Sequence, residues 1–297
     1  MDEAQISQVR RFNRAVTQRI GALSDDYLAS GRPLGEARLL FEIGLAGATV
    51  RELRARLALD SGYLSRMLRA LEQQILVTSQ PDASDARVRR VQLTAKGRKT
   101  WAALDKRSGD LAASVLAPLG DSQRIRLLAA MAEVERLLRA SAVEIAVADP
   151  AGREAQCCLH AYFDELRKRF DEGFDPSLTV SADPDELVPP LGWFLLAHLD
   201  GAPVGCGALK IKDGIGEIKR MWVSPDTRGL GIAQRLLQSL EAQARAAGVD
   251  TLRLDTHRSL SEARALYLRN GYVEIAAYNN NPYAGYWFEK RDLQGRG

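Results

Sequence analysis

In the stretch SPDTRGLGIAQRLL, Ser224 to Leu237, an arginine and two glycines stand directly ahead of a helix-like run. A helix that needs only a start carries Ser, Thr, Asp or Asn at its N-cap, and glycines there cost backbone order. Arg228, Gly229, Leu230, Gly231, Ile232 and Ala233 instead offer main-chain N–H groups at a helix N-terminus with little side chain in the way. Those amides, the helix dipole and the arginine charge together favour a phosphate. Taken alone, the same pattern describes a simple tight turn equally well. A second set of residues lies in DSGYLSRMLRALE, where Leu64, Leu68 and Leu71 share one helical face. Ser61, Tyr63, Ser65, Arg66 and Arg69 fall on the other, a polar and basic surface suited to a polyanion.

Other reactive residue types form no pattern. Of the three cysteines, Cys157 and Cys158 are adjacent and Cys206 is distant, and His160, His198 and His257 are scattered. With no CxxC pair and no clustered ligands, neither a disulfide framework nor a metal site is expected. Cys206 reads as a buried structural thiol in mid-strand, and His257 receives no role.

The elements that position these residues follow from periodicity. An amphipathic N-terminal stretch carries Ile6, Val9, Val16 and Ile20, and a helix pattern runs over GEARLLFEIG. Val50, Leu53 and Leu57 form the buried stripe of a short helix, Ala58 to Asp60 make a turn, and Asp60 is the expected N-cap of the next helix. Two strand-like runs, Leu76 to Gln80 and Arg87 to Thr94, flank a loop rich in Pro, Asp and Ser and read as a wing. Arg87 and Arg89, with Arg90, sit where guanidinium groups reach phosphates or a minor groove.

The helix TVRELRARL, the helix DSGYLSRMLRALE and the wing with Asp85, Arg87, Leu93 and Thr94 resemble the MarR family of winged-helix regulators over about residues 1 to 140. The resemblance implies double-stranded DNA as partner and a homodimer joined through residues 2 to 20 and Ser122 to Leu138. A winged helix used for dimerisation or protein docking is the blander alternative.

In the second half, a helix from Glu154 to Phe170 precedes strands in WFLLAHLD, PVGCGALKIKD and IGEIKRMWVSP. The helix opened by Gly231 follows, then strand TLRLDTH, helix SLSEARALYLRNG and late strands near VEIAAYN and YWFEKRDL. A meander leading into a strand, helix, strand unit indicates a mixed α/β sheet. Val223, Ser224, Pro225, Arg228, Gly231 and Ala233, with Ala263, Leu266, Tyr267, Gly271 and Tyr272, resemble the two signature motifs of the GNAT acetyltransferases over about Val143 to Leu293. Leu260 stands where many members of that family place an Asn.

That resemblance implies acetyl-CoA as co-substrate, held by Met221, Val223, residues 228 to 233 and Tyr267, with an oxyanion donor near the Val223 amide. It also implies an amine or lysine acceptor, whose ammonium must first lose a proton. Glu217 is the candidate base, its alternative being a glutamate paired with Lys219 or Lys212. Tyr267 is the candidate acid for the thiolate, its alternative being a core or lid tyrosine. The segment YNNNPYAGYWFEK reads as a turn between the last two strands, with Tyr283, Tyr286 and Trp287 near an acceptor.

Length and composition fit this division. The 297 residues, 46% hydrophobic and 27% charged, suit two soluble domains rather than disorder. Net charge is only +3, yet Arg51 to Arg107 hold 13 Lys and Arg against 6 Asp and Glu. The second half is close to balanced. No membrane partner is expected, and the N-terminus lacks the apolar core of a signal peptide, so the expected location is cytoplasmic. The expectation is therefore a multi-domain chain: a helix-rich winged helix-turn-helix domain at 1–140 and an α/β acyltransferase domain at 141–297. The function expected is a bifunctional regulator that binds operator DNA and acetylates an amine, the alternative being a regulator that only senses acetyl-CoA or a metabolite.

Overall fold

The structure, a computed structural model, describes residues 2–82, 88–171, 173–179 and 182–293. The chain divides into two compact units, Met1–Ala130 and Met131–Gly297.

In the first unit, α1 (Glu3–Arg19) opens with a capping box in which the Asp2 side chain accepts from the Gln5 amide. Then come α2 (Leu34–Ile43), the short strand β1 (Ala48–Thr49), α3 (Val50–Leu57) and α4 (Ser61–Gln73). The strands β2 (Val77–Pro81) and β3 (Arg89–Leu93) form the wing, with β1 added along β3. β2 starts one residue after its predicted run begins, and β3 ends one residue before its predicted run does, for a local reason. Leu76 turns into the core, and Thr94 leaves β3 to accept from the Gly97 amide as N-cap of α5 (Ala95–Leu116), a long helix the periodicity did not single out. The core joins Leu39, Leu40, Ile43, Leu53, Leu64, Leu71, Leu76 and Val91. The helix α6 (Asp121–Ser141) closes this part of the chain order.

The second unit is built on a seven-stranded sheet. Its strands are β4 (Glu144–Val147), β5 (Gly192–Leu199), β6 (Ala202–Lys212), β7 (Ile215–Val223), β8 (Thr251–Thr256), β9 (Val273–Ile275) and β10 (Tyr286–Lys290), in the spatial order β4-β5-β6-β7-β8-β10-β9. The helix α7 (Arg153–Arg169) precedes β5, α8 (Ile232–Ala246) joins β7 to β8, and α9 (Ser261–Arg269) follows β8. Every neighbouring pair is antiparallel except β7 and β8, the pair a helical crossover must connect.

Both faces of the central strands are apolar, as expected for a sheet covered on both sides. Leu195, Leu209, Ile218 and Leu252 pack with Leu236, Leu237 and Leu240 of α8. On the opposite face, Phe194, Leu196, Cys206 and Ala208 pack with Ala155 and Cys158 of α7. The helix α7 starts at Arg153, one residue before the expected Glu154, after residues 149–152 close a turn in which Gly152 N–H donates to the Asp149 carbonyl.

Two irregularities shape the middle of the sheet. The parallel pairing of β7 with β8 covers only Ile215 to Glu217 against Thr251 to Arg253, so beyond that point the strands part and leave a slot. On its other edge β7 bulges against β6: Cys206 faces Trp222 and Ala208 faces Lys219, with Arg220 at a left-handed φ of 57°. A Cβ at Gly207, opposite the bulge, would lie 2.7 Å from the Met221 sulfur, so the Met221 side chain would have to move aside.

Candidate functional site

In the first unit, α3 and α4 meet through a turn in which Ala58 takes a left-handed conformation and Asp60 caps α4 by accepting from the Tyr63 amide at 2.8 Å. With Leu64, Met67, Leu68 and Leu71 buried, geometry leaves Ser61, Tyr63, Ser65, Arg66 and Arg69 exposed on one face. The Arg66 guanidinium lies 5.8 Å from the Tyr63 ring centroid, and the Ser65 hydroxyl bonds back to the Ser61 carbonyl at 2.7 Å. On the wing, Arg89 is exposed and its Nε donates to Ser79, whereas Arg90 is paired with Asp82 at 2.8 Å. Asp85 and Arg87 lie outside the described residues.

In the second unit, β7 ends at Val223 and a short turn delivers the chain to α8. Gly229 and Gly231 both have left-handed φ, 82° and 74°, and Gly231 is an N-cap without a side chain to satisfy the first-turn amides. A side chain at either glycine would be strained by φ alone, since only open space lies in front of it. The Arg136 guanidinium holds the Gly229 carbonyl at 2.7 Å, which fixes the turn from behind. The uncapped amides face a cavity of about 450 Å³ lined by Met221, Val223, Arg228, Gly229, Gly231, Ile232, Ala233 and Tyr267. Leu230 alone among the expected contacts does not line this cavity; its side chain is buried in the core. The donor set suits a diphosphate: unpaired amides at a helix N-terminus, with glycines that permit close approach.

Arg228 is not a free charge. Its guanidinium reaches both oxygens of Glu165 at 2.6 Å, and the same carboxylate accepts from Trp222 Nε1 at 2.9 Å and from Arg169 at 3.2 Å. Burial would raise the Glu165 carboxyl, but these donors outweigh it and hold it below the usual range. Arg169 also bonds Glu262, whose carboxyl is lowered chiefly by that bond.

A smaller cavity, of about 100 Å³, opens in the slot between β7 and β8. Met221, Tyr162, Leu166, Leu260, Ala263 and Tyr267 line both cavities, so Tyr267 stands at their junction. Burial pushes its phenol well above the ordinary tyrosine value, and that of Tyr162 up to about 12, so both stay protonated at neutral pH.

The structure corrects the position expected of Glu217. That carboxylate does not line either cavity; it accepts from Tyr278 at 2.9 Å and pairs with Lys219 at 3.1 Å. The reason is that Glu217 still pairs with Arg253 of β8, ahead of the point where the strands part, and its carboxylate lies against Tyr278 and Asn279. The carboxylate at the wall is Asp255 on β8, which accepts from Asn279 at 2.8 Å and from Asn281 at 2.7 Å. Sequence reasoning missed it, although an Asp on the polar face of the strand TLRLDT, between buried Leu254 and Thr256, was a visible signal. Tyr283 joins Phe170 and Phe174 on the cavity wall, while Tyr286 packs against the core and Trp287 bonds Asn279.

Cys206 is a buried free thiol; its hydrogen bond with the Cys158 thiol, together with burial, pushes it up, which disfavours a thiolate nucleophile. His257 is buried against Phe170, ring centroids 3.7 Å apart. Among the described residues no group of His, Cys, Asp and Glu could hold a metal ion, and no helix is long and apolar enough to cross a membrane.

The acetyltransferase (GNAT) family model matches residues 159–272, and the MarR family model matches residues 30–88. An IAA acetyltransferase of Azospirillum brasilense is 43% identical over 113 residues, 37% of this chain and 74% of that protein. An uncharacterised N-acetyltransferase of Schizosaccharomyces pombe is 31% identical over 130 residues, 40% of this chain and 80% of that protein. A mutant MarR from E. coli, solved in complex with operator DNA, aligns with 45% of this chain and 99% of its own length, at 26% identity and a TM-score of 0.38.

Proposed function

Since the chain belongs to the GNAT acetyltransferase family and carries a MarR-family domain ahead of it, we propose that it is a bifunctional regulator that binds operator DNA and acetylates an amine. The DNA-binding and dimerisation part would span 1–140, and the transferase 141–297. The observation that carries the enzymatic reading is the junction at Tyr267, where a cavity headed by uncapped α8 amides meets a second cavity walled by a carboxylate.

When bound, acetyl-CoA supplies the acetyl group as a thioester. Met221, Val223 and the amides of residues 229 to 233 hold the donor, with the Val223 region offering an N–H to the oxyanion. Asp255 receives the proton the amine must lose, directly or through water, as nitrogen bonds to the acetyl carbon. Tyr267 donates a hydrogen bond to the departing sulfur. Because its phenol is raised, full proton transfer to a thiol of pKa about 8.5 is uphill, so the main contribution of Tyr267 is stabilisation of the thiolate. Glu217 acts as a positioning residue, fixing Lys219, Tyr278 and, at 3.4 Å, Asn279 behind Asp255.

In the first unit, the exposed Ser61, Tyr63, Ser65, Arg66 and Arg69 would enter the major groove, and Arg89 with Arg87 would meet the backbone beside it. Exposed apolar side chains on α1 (Val9, Phe12) and α6 (Ile125, Leu128) support a homodimer. Such a protein works in the cytoplasm, beside the DNA.

Thiol release from acetyl-CoA over a panel of amines tests the transferase. Tyr267→Phe and Asp255→Asn are expected to lower kcat by about 100-fold, the scale of a lost acid or base, and Glu217→Gln by less. Binding of acetyl-CoA without turnover of any amine would leave the sensor reading standing instead.

A further inference from the structure

The slot between β7 and β8 carries opposite charges on its two lips. Arg220 lines it from β7, and among the described residues no carboxylate pairs with this guanidinium, whose neighbour is the face of Phe163 at 4.7 Å. Asp255 lines it from β8, held by two amide side chains and, among the described residues, by no Lys, Arg or His. The nearby cation Lys219 is already paired with Glu217. Arg220 also sits at φ 57°, a conformation costing a non-glycine residue about 1 kcal/mol or more. A strained bulge that sets an arginine without a carboxylate partner at the wall of a cavity is a feature that folding alone does not require.

Resting on the transferase reading, we propose that the acceptor is an α-amino acid with an apolar side chain. Its ammonium meets Asp255, its carboxylate meets Arg220, and its side chain meets Phe170, Phe174 and Tyr283. Arg220 directly precedes Met221, which lines the junction of the two cavities, so the carboxylate it holds lies within a few bonds of the reacting nitrogen. An α-amino acid, with one carbon between the two charged groups, meets that requirement; a lysine side chain in a protein does not. Aromatic walls 5.0 to 5.9 Å apart by ring centroid supply an apolar surface with no charge of their own. In the reaction the amine nitrogen bonds to the acetyl carbon as the carbon–sulfur bond breaks. One ammonium proton goes to Asp255 or water, a second leaves the nitrogen after attack and reaches the departing sulfur through water, and the products are the N-acetyl amino acid and free thiol.

The test compares matched pairs on the full chain: L-phenylalanine against phenethylamine, and L-leucine against 3-methylbutylamine. A charge-assisted contact predicts kcat/KM at least ~30-fold higher for the amino acid of each pair. In Arg220→Gly that ratio falls towards one, while Tm does not drop, because glycine relieves the left-handed φ; Arg220→Lys recovers part of the ratio. A residue with only a structural role would instead lower Tm and leave the ratio unchanged. Equal kcat/KM within each pair, or a ratio that survives Arg220→Gly, overturns the proposal. Calorimetric titration of L-phenylalanine into the chain saturated with coenzyme A reads the site without chemistry. Binding lost in Arg220→Gly but absent thiol release would count against the transferase reading alone, and absence of amino-acid binding would count against this inference.

Discussion

Two helices, one in each unit, begin in opposite ways. The N-terminus of α4 is closed by Asp60, which accepts from the Tyr63 amide, whereas α8 starts at Gly231 with no capping side chain. Where a side chain within the fold satisfies the first turn, the helix presents residues outward, and Ser61, Tyr63, Ser65, Arg66 and Arg69 are all exposed. Where the amides are left open, the backbone itself is available to a ligand, and the flanking residues are glycines with empty space in front of them. In the function proposed, one helix would read its ligand with side chains and the other with main chain.

The most severe way to break this contrast is Gly231→Val. At φ 74° a β-branched residue is strained by about 1–2 kcal/mol, and its side chain enters the cavity. Calorimetry is expected to show coenzyme A affinity reduced by about 100-fold or more; unchanged affinity in a folded variant would remove the main-chain site. Gly231→Asp sharpens the comparison, because Asp tolerates a left-handed φ and brings α8 the kind of cap α4 already has. Stability should stay within about 1 kcal/mol of the parent, while like-charge repulsion of the diphosphate lowers affinity by about 10-fold or more. The reciprocal change, Asp60→Ala, should cost about 1 kcal/mol of stability by removing the cap, seen as a lower Tm, and leave coenzyme A binding unchanged. Arg66→Ala is milder still: Tm is kept, and the salt dependence of operator binding measured by band shift loses about one unit of slope if Arg66 meets a phosphate.

The same contrast explains what could be read from the sequence. Helix caps and apolar stripes are local, so Asp60, Leu64, Leu68 and Leu71 located α4 and its exposed face, and Gly229 and Gly231 marked the start of α8. The slot is not local. It depends on where β7 stops pairing with β8 and on a bulge against β6, and neither leaves a periodic trace. Arg220 and Asp255 meet there from strands separated by α8, so their juxtaposition was invisible, and Glu217 drew attention although it lies on a paired part of β7. The helix α5 escaped for another reason: AKGRKTWAALDKRSGDLAASVL buries only Gly97 and Leu104, too few positions to make an apolar stripe.

Around the open end of α8 the fold places paired carboxylates rather than a cap, and acid should find them. Burial works against the Glu165 charge, but Arg228, Trp222 and Arg169 hold its carboxyl below the usual value of about 4.5; the Arg169 bond does the same for Glu262. A carboxyl lowered in the folded chain adds stability that is complete above its unfolded value and disappears as pH falls through the folded one. The loss should therefore begin below about pH 4.5 and deepen as the medium becomes more acidic. Glu262 is 55% exposed, so its pair with Arg169 is worth no more than about 1 kcal/mol, and salt should weaken it further. Glu165, only 18% exposed and bonded by three donors, should account for the larger share. In thermal melts across pH 3 to about 7, Glu262→Gln should flatten the acid limb slightly and Glu165→Gln clearly. Parallel limbs for Glu165→Gln and the parent would mean that this ion-pair cluster does not support the open helix end.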